Sequence, residues 1–348
     1  MQLLRRSKLA VWLEAVAREA EVYVPTRASQ RSAGSQSSTR TDDDTVALAP
    51  LGRGEMVLDY GRLAAGGVKG VLFPDRDVLV RVREGAAEPV LDTTRRVLFG
   101  IRACDVAAVA YLDYFFSLCR EDPNYMSRRE NTTLVTVACR EPDRGCFCTT
   151  AGTGPVSHVG FDLQFYPCGD GYLVQLGSER GSSLVDRARS FFEDAPREAP
   201  DVIRRFEEEA AGAVAPAADL EAAARAAGDG ELSATFWAEL AARCRTCEEA
   251  TRECPTCTCF QIADRASLDP EWTGERIRTW ASCPPGAAPG RRYRDKLEPT
   301  GLRTPRFRCV GCGRCVALCP EGLGLRGVIE RMLADGARPA GDAETDDS

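Results

Sequence analysis

Thiols are the residues in this sequence with the widest chemical scope. Sixteen cysteines stand beside a single histidine, His158, in 348 residues. One histidine leaves little room for His-based acid–base catalysis or for His-containing zinc sites. A chain of this length is not a disulfide-stapled mini-protein, so thiolates that hold metal are the expected use. The strongest pattern is Cys309-Val-Gly-Cys312-Gly-Arg-Cys315-Val-Ala-Leu-Cys319-Pro320. Its C-x2-C-x2-C-x3-C-P spacing is that of bacterial ferredoxins. Three cysteines two residues apart wrap one loop around three irons of a 4Fe–4S cube. Gly311 and Gly313 are expected to let backbone amides approach the sulfides. The fourth cysteine, set before proline, leaves that loop and ligates a different cluster. Structural zinc uses two separated pairs and does not need this spacing.

A second run must therefore exist, and Cys244-Arg-Thr-Cys247-Glu-Glu-Ala250-Thr-Arg-Glu-Cys254-Pro255 supplies it, with Ala250 where a third cysteine belongs. Crossed ligation assigns Cys254, Cys309, Cys312 and Cys315 to one complete 4Fe–4S cluster. The other keeps Cys244, Cys247 and Cys319 and lacks one thiolate. Cys257 or Cys259 could complete it, with Cys283 ranked behind them; a 3Fe–4S cluster and an empty site are the alternatives. A filled site is favoured, because the upstream helix and the Cys319-Pro320 geometry are both retained. The stretch from Cys259 to Cys309 is too long for a compact ferredoxin. It suits a helical one in which each run caps a helix.

Six further cysteines lie between residues 104 and 168, and four of them suggest a third cluster. Cys104 follows an apolar run ending at Ile101, and Cys139 follows another ending at Ala138. Cysteines that end two neighbouring strands share one edge of a sheet. The short loop Arg140 to Gly145 could return Cys146 and Cys148 to that edge, with Asp105 as a substitute oxygen ligand. The rival readings are buried inert thiols, which suit the residue's preference for cores, and a zinc site.

The elements that position these thiols read as follows. Short apolar runs (70–74, 78–82, 97–101, 134–138 and 172–176) between turn signals predict strands of a mixed sheet. Helices are expected over 6–20, after Cys104, over 183–194, over 205–228 and through Phe236–Leu240. The expected fold is an α+β or α/β domain over 1–225, then an all-α helical ferredoxin-like domain over 226–335. Residues 28–44 read as a flexible loop and 336–348 as a disordered acidic tail.

Composition narrows the function. Lys and Arg total 45 against 52 Asp and Glu, a net charge of −7 that argues against a nucleic-acid partner. No apolar run spans a membrane and no signal peptide opens the chain, so a cytoplasmic location is expected. No nucleotide-binding or zinc-protease motif is present, and no residue is singled out as catalytic. Cys119 reads as a core residue, Cys168 as a turn cysteine, His158 as a surface residue, Arg128-Arg129 as a solvated charge pair and Asp42–Asp44 as loop.

Phe236-Trp237 through Cys244, Cys254-Pro-Thr-Cys-Thr-Cys-Phe260, Trp280-Ala-Ser-Cys283 and Cys309–Pro320 together resemble one family. It is the iron–sulfur (beta) subunit of soluble NAD(P)-linked nickel–iron hydrogenases, or sulfhydrogenases, a family that also takes in the electron-input subunit of anaerobic sulfite reductase. Phe99-Gly-Ile-Arg-Ala-Cys104-Asp105, Asp122-Pro-Asn-Tyr125, Arg128-Arg129, Cys139 and Cys146-Phe-Cys148 extend the likeness upstream. The sequence departs from the family at Ala250 and in a shortened stretch over Pro284–Gly290. The resemblance implies an electron relay. An FAD- and NAD(P)-binding flavoprotein would exchange hydride, and this subunit would pass single electrons to the terminal module. That module would be the small and large subunits of a hydrogenase or, alternatively, a sirohaem sulfite reductase subunit. The reading from another class is a non-redox protein braced by structural clusters.

Overall fold

The computed structural model describes residues 1–27, 46–61, 63, 67–217, 219–228, 232–244, 249–266, 273–281 and 289–336. The expectations for 28–44 and for the C-terminal tail lie outside these residues, apart from Gly336. Among the described residues the strands are β1 Gln2–Arg5, β2 Glu21–Arg27, β3 Val46–Pro50, β4 Arg76–Arg83, β5 Ala86–Pro89, β6 Arg96–Ile101, β7 Thr132–Val137, β8 Leu163–Cys168, β9 Gly171–Leu176, β10 Phe192–Asp194, β11 Phe260–Ala266 and β12 Gly274–Trp280. The helices are α1 Arg6–Val16, α2 Gly67–Leu72, α3 Ala103–Ser117, α4 Pro123–Glu130, α5 Glu179–Arg187, α6 Ala199–Ala213, α7 Leu220–Gly228, α8 Ala234–Arg243, α9 Glu249–Glu253, α10 Pro289–Leu297, α11 Arg314–Leu318 and α12 Leu325–Gly336. None is long and apolar enough to cross a membrane.

An eight-stranded sheet in the order β10-β1-β9-β8-β7-β6-β2-β3 forms the N-terminal region. Its centre, β2-β6-β7-β8, is parallel, and the flanking pairs are antiparallel. Central parallel strands are covered on both faces, which is why β6 and β7 are buried at every position, including Arg96 and Thr132, Thr133 and Thr136. On one face Trp12 of α1 packs against Phe99, Phe165 and Phe192. On the other, Leu98, Ile101 and Leu134 pack against α3 and Tyr125 of α4. The chain leaves β6, crosses through α3 and α4 and returns as parallel β7. Both strands therefore end at the same edge, and open α/β sheets bind ligands at that carboxyl edge.

The C-terminal region is not all-α. Between its two cysteine runs, β11 and β12 form an antiparallel hairpin, and β12 pairs with β4 in a second sheet of order β11-β12-β4-β5. Strand-forming residues of β11 are mostly exposed, so they carry no core pattern in the sequence. A buried ion network locks the hairpin in place: Arg278 bridges Asp77 at 2.8 Å and Asp122 at 2.6 Å, and Arg128 also grips Asp77. Arg128-Arg129 is thus not a solvated pair; Arg129 bonds Asp113 at 3.0 Å. Likewise 70–74 is no strand, because α2 occupies Gly67–Leu72. The expected boundary at 225 falls inside α7, whose Leu220, Ala223 and Ala226 join Phe236, Leu240, Val328 and Met332 in a C-terminal core.

Candidate iron–sulfur site

The cysteines sit at helix ends, where backbone groups are unpaired. Cys244 caps the C-terminus of α8, Cys254 follows α9, and Cys309 and Cys312 lead into α11. Gly313 caps the N-terminus of α11 at φ +71°, and Cys319 caps its other end. Within this loop amides point at sulfur: Gly311 N–H donates to Cys309 Sγ (3.4 Å), Leu325 N–H to Cys315 Sγ (3.4 Å) and Leu323 N–H to Cys319 Sγ (3.3 Å). Such bonds favour the thiolate form and tune cluster potential.

Cys254, Cys309, Cys312 and Cys315 come together. The charges that act on Cys309 include Cys315, Cys312 and Cys254, and Cys312 and Cys315 both feel Cys254. Burial pushes the Cys315 thiol up to about 12 and raises Cys309 and Cys312. Two lysines face this set. Lys296 donates to the Thr256 carbonyl at 2.9 Å, and Lys69, 1% exposed, donates to the Thr251 carbonyl at 2.8 Å while lying 3.7 Å from the Trp280 ring centre. Burial opposes the charge on both. The Cys254 and Cys257 thiolates hold Lys296 above its ordinary value, whereas Lys69 falls below its own. A buried ammonium is stable only beside negative charge, and the thiol groups that act on both lysines are Cys254 and Cys257.

Cys244 and Cys319 share a neighbour. Tyr293 is raised to about 12, chiefly by burial, and both thiols add to the shift. The two cysteines pack on the same C-terminal core. Cys247 and Cys283 lie outside the described residues. Cys257 is buried next to Cys254, its amide donating to the Cys254 carbonyl at 3.1 Å, and its charged neighbours are Lys296 and Lys69. Cys259 is exposed.

The N-terminal four also converge at the carboxyl edge of β6 and β7. Cys104 is the second residue of α3, Cys139 follows β7, and the turn with Cys146 N–H on Asp143 O brings back Cys146 and Cys148. All four are buried. Burial pushes Cys146 and Cys148 up to about 12, and each also feels Cys139 and Cys312. Asp105 is not free for ligation: Oδ1 accepts from Arg314 and Oδ2 from the Arg102 amide. Cys119 is exposed and not in the core; Cys168 is half-buried at the end of β8, and His158 is exposed.

The two thiol sets touch. Phe147, between Cys146 and Cys148, sits in the C-terminal core, and its amide donates to Gly311 O at 2.8 Å. Gly311 and Gly313 serve this contact, a role the spacing does not reveal. A Cβ on Gly311 would lie 2.6 Å from Phe147 O, and one on Gly313 2.5 Å from the Gly145 carbonyl carbon. Thr153 Oγ1 adds a bond to Val310 O at 2.6 Å. Sequence reasoning missed Arg314, Lys69 and Lys296. A charged residue inside the Cys312-Gly-Arg-Cys315 loop was the one available signal.

Clustered thiols, sulfur-directed amides and buried cations define a protein of the iron–sulfur class, and residues 243–289 match the model of a 4Fe–4S dicluster domain. Over 280 residues the chain is 30% identical to sulfhydrogenase 2 subunit beta of Pyrococcus furiosus, a match covering 76% of this chain and 82% of that protein. No solved structure matches. The chain belongs to the sulfhydrogenase beta-subunit family.

Proposed function

We propose that this chain is an electron-transfer subunit carrying three 4Fe–4S clusters in line. Cys254, Cys309, Cys312 and Cys315 would hold the central one. Cys104, Cys139, Cys146 and Cys148 would hold a second on the sheet side. Cys244, Cys319 and Cys247 would hold part of a third, whose last ligand is Cys257, Cys259 or none. Bound there, each cube supplies reversible one-electron chemistry without proton transfer. The observation that carries the reading is the direct packing of the Cys146–Cys148 loop on Gly311 and Gly313. A structural brace does not need two four-thiol sets pressed together, whereas a relay needs short distances between them. Among the described residues no three His, Cys, Asp or Glu side chains already crowd one point as for a single ion. A cube would spread its thiolates over four corners, a wider arrangement than a single ion needs.

The chain's own residues exclude water and fix the thiolates. Phe147, Val310 and Ala108 close off the junction, and the amides of Gly311, Leu323 and Leu325 orient sulfur. Electrons would enter from an FAD- and NAD(P)-binding flavoprotein and leave for a nickel–iron hydrogenase. Anaerobic purification with its native partners tests this. The visible absorption should bleach with NADH or NADPH only while the flavoprotein is present. A nickel–iron large subunit should co-purify. A sirohaem protein in its place would select sulfite reductase, and a colourless chain without iron would overturn the relay.

A further inference from the structure

Arg314 is a buried cation at the junction of the two thiol sets. It lies between Cys312 and Cys315 in the ferredoxin-like loop and is 2% exposed. Its Nε donates to the Leu63 carbonyl at 2.6 Å, and Nη2 donates to Asp105 Oδ1 at 2.6 Å. Asp105, fully buried, directly follows Cys104 on α3. One partner of the ion pair therefore stands on the loop of the central set and the other on the helix of the sheet-side set. Cys104 and Cys312 pack in one apolar cluster beside it with Ala107, Ala108 and Val310. Arg314 Nη1 is buried and has no hydrogen-bond partner among the described residues. A buried guanidinium N–H left unmet is costly, so the cation depends on the negative groups around it. The negative groups acting on Arg314 are Asp105, then Cys312, then Cys104.

Resting on the cluster reading above, we propose that Arg314 sets the reduction potential of the central cluster, with Asp105 as the counterweight that limits its effect. Reduction would add one electron, supplied by the flavoprotein partner. No bond forms or breaks and no proton moves, so the charge of the cube and its four thiolates falls by one unit. A cation nearby stabilises that added charge and raises the potential, and a carboxylate nearby lowers it. Arg314 is a positioning residue in this scheme and touches no substrate.

Potentiometric titration of the anaerobic full-length protein, followed by EPR, tests the proposal with Arg314→Gln, Arg314→Lys and Asp105→Asn. With iron content equal to wild type, Arg314→Gln should shift one cluster to more negative potential. The shift should be at least tenfold in its oxidised-to-reduced ratio, which is about 59 mV for one electron. Arg314→Lys should retain most of the wild-type value. Asp105→Asn should move the same cluster the other way, because it leaves the cation uncompensated. Should Arg314→Gln fail to fold or to load iron, Asp105→Asn decides alone. An unchanged or more negative potential in Asp105→Asn overturns the proposal, and so does an unshifted Arg314→Gln with full iron. Wild-type protein without iron would instead overturn the cluster reading, a result visible before any variant is made.

Discussion

The sheet region and the cysteine-rich region hold themselves together by different means. Around β6–β8, Trp12, Phe99, Phe165 and Phe192 are packed with ring centres 5.4–5.9 Å apart and almost no exposure. Burial of that kind supports a fold on its own. Beyond α8 the cysteines hang on α9 and α11, helices of five residues each. Such helices do not persist alone. Under the cluster reading, the sheet region folds on apolar area alone, whereas the short cysteine-bearing helices would add metal–thiolate bonds to the apolar core of α7, α8 and α12.

Withholding iron should break the comparison most visibly. Amide exchange by mass spectrometry on protein made under iron chelation should show lost protection over 244–254 and 309–325, while β6, β7 and the β12–β4 pair stay protected; uniform protection throughout would argue against the division. Next in size, Trp12→Ala should destabilise the sheet region by about 3–5 kcal/mol, as large aromatic truncations in cores do. Denaturant unfolding measures this, and the iron content of the folded fraction should not change. Cys146→Ser with Cys148→Ser should remove about four irons of about twelve, read by iron and acid-labile sulfide assays, and leave the unfolding midpoint of the sheet region in place.

The smallest effect concerns Asp92. Burial pushes its carboxyl up, but hydrogen bonds from Arg96 and Thr94 outweigh this and hold it below its ordinary value. A carboxylate depressed in the folded state stabilises above the unfolded value of about 3.9 and loses that contribution as pH falls through the folded value. Asp92→Asn should therefore lower stability near neutrality slightly and flatten the acid limb of a urea-midpoint-against-pH curve. The change should be the same with and without iron, since the pair belongs to the sheet region.

Much of the site was legible because ligand spacing is local. The Cys309–Pro320 run and the Cys244–Pro255 run each carry their meaning within a dozen residues. Cys104 and Cys139 were legible one step further, since β6 and β7 are short apolar runs and parallel neighbours end at one edge. What depended on distant partners was not. Phe260–Ala266 became a strand by pairing with β12, which in turn pairs with β4, where Arg278 stands opposite Asp77, far away in sequence. Arg128 looked solvated because its counterion Asp77 and the competing Arg278 lie on other elements. Residues 70–74 are a brief apolar run, and such runs do not distinguish strand from helix by period; α2 takes in their first half. Gly311 and Gly313 looked like glycines for a cluster; the structure also uses them to seat a second loop.

An anomalous difference map at the iron edge, from crystals grown without oxygen, tests the three-cluster line most directly. Density should appear among Cys254, Cys309, Cys312 and Cys315, beside Cys244 and Cys319, and among Cys104, Cys139, Cys146 and Cys148. Iron at the first two places with none at the third would contradict a relay that runs into the sheet region.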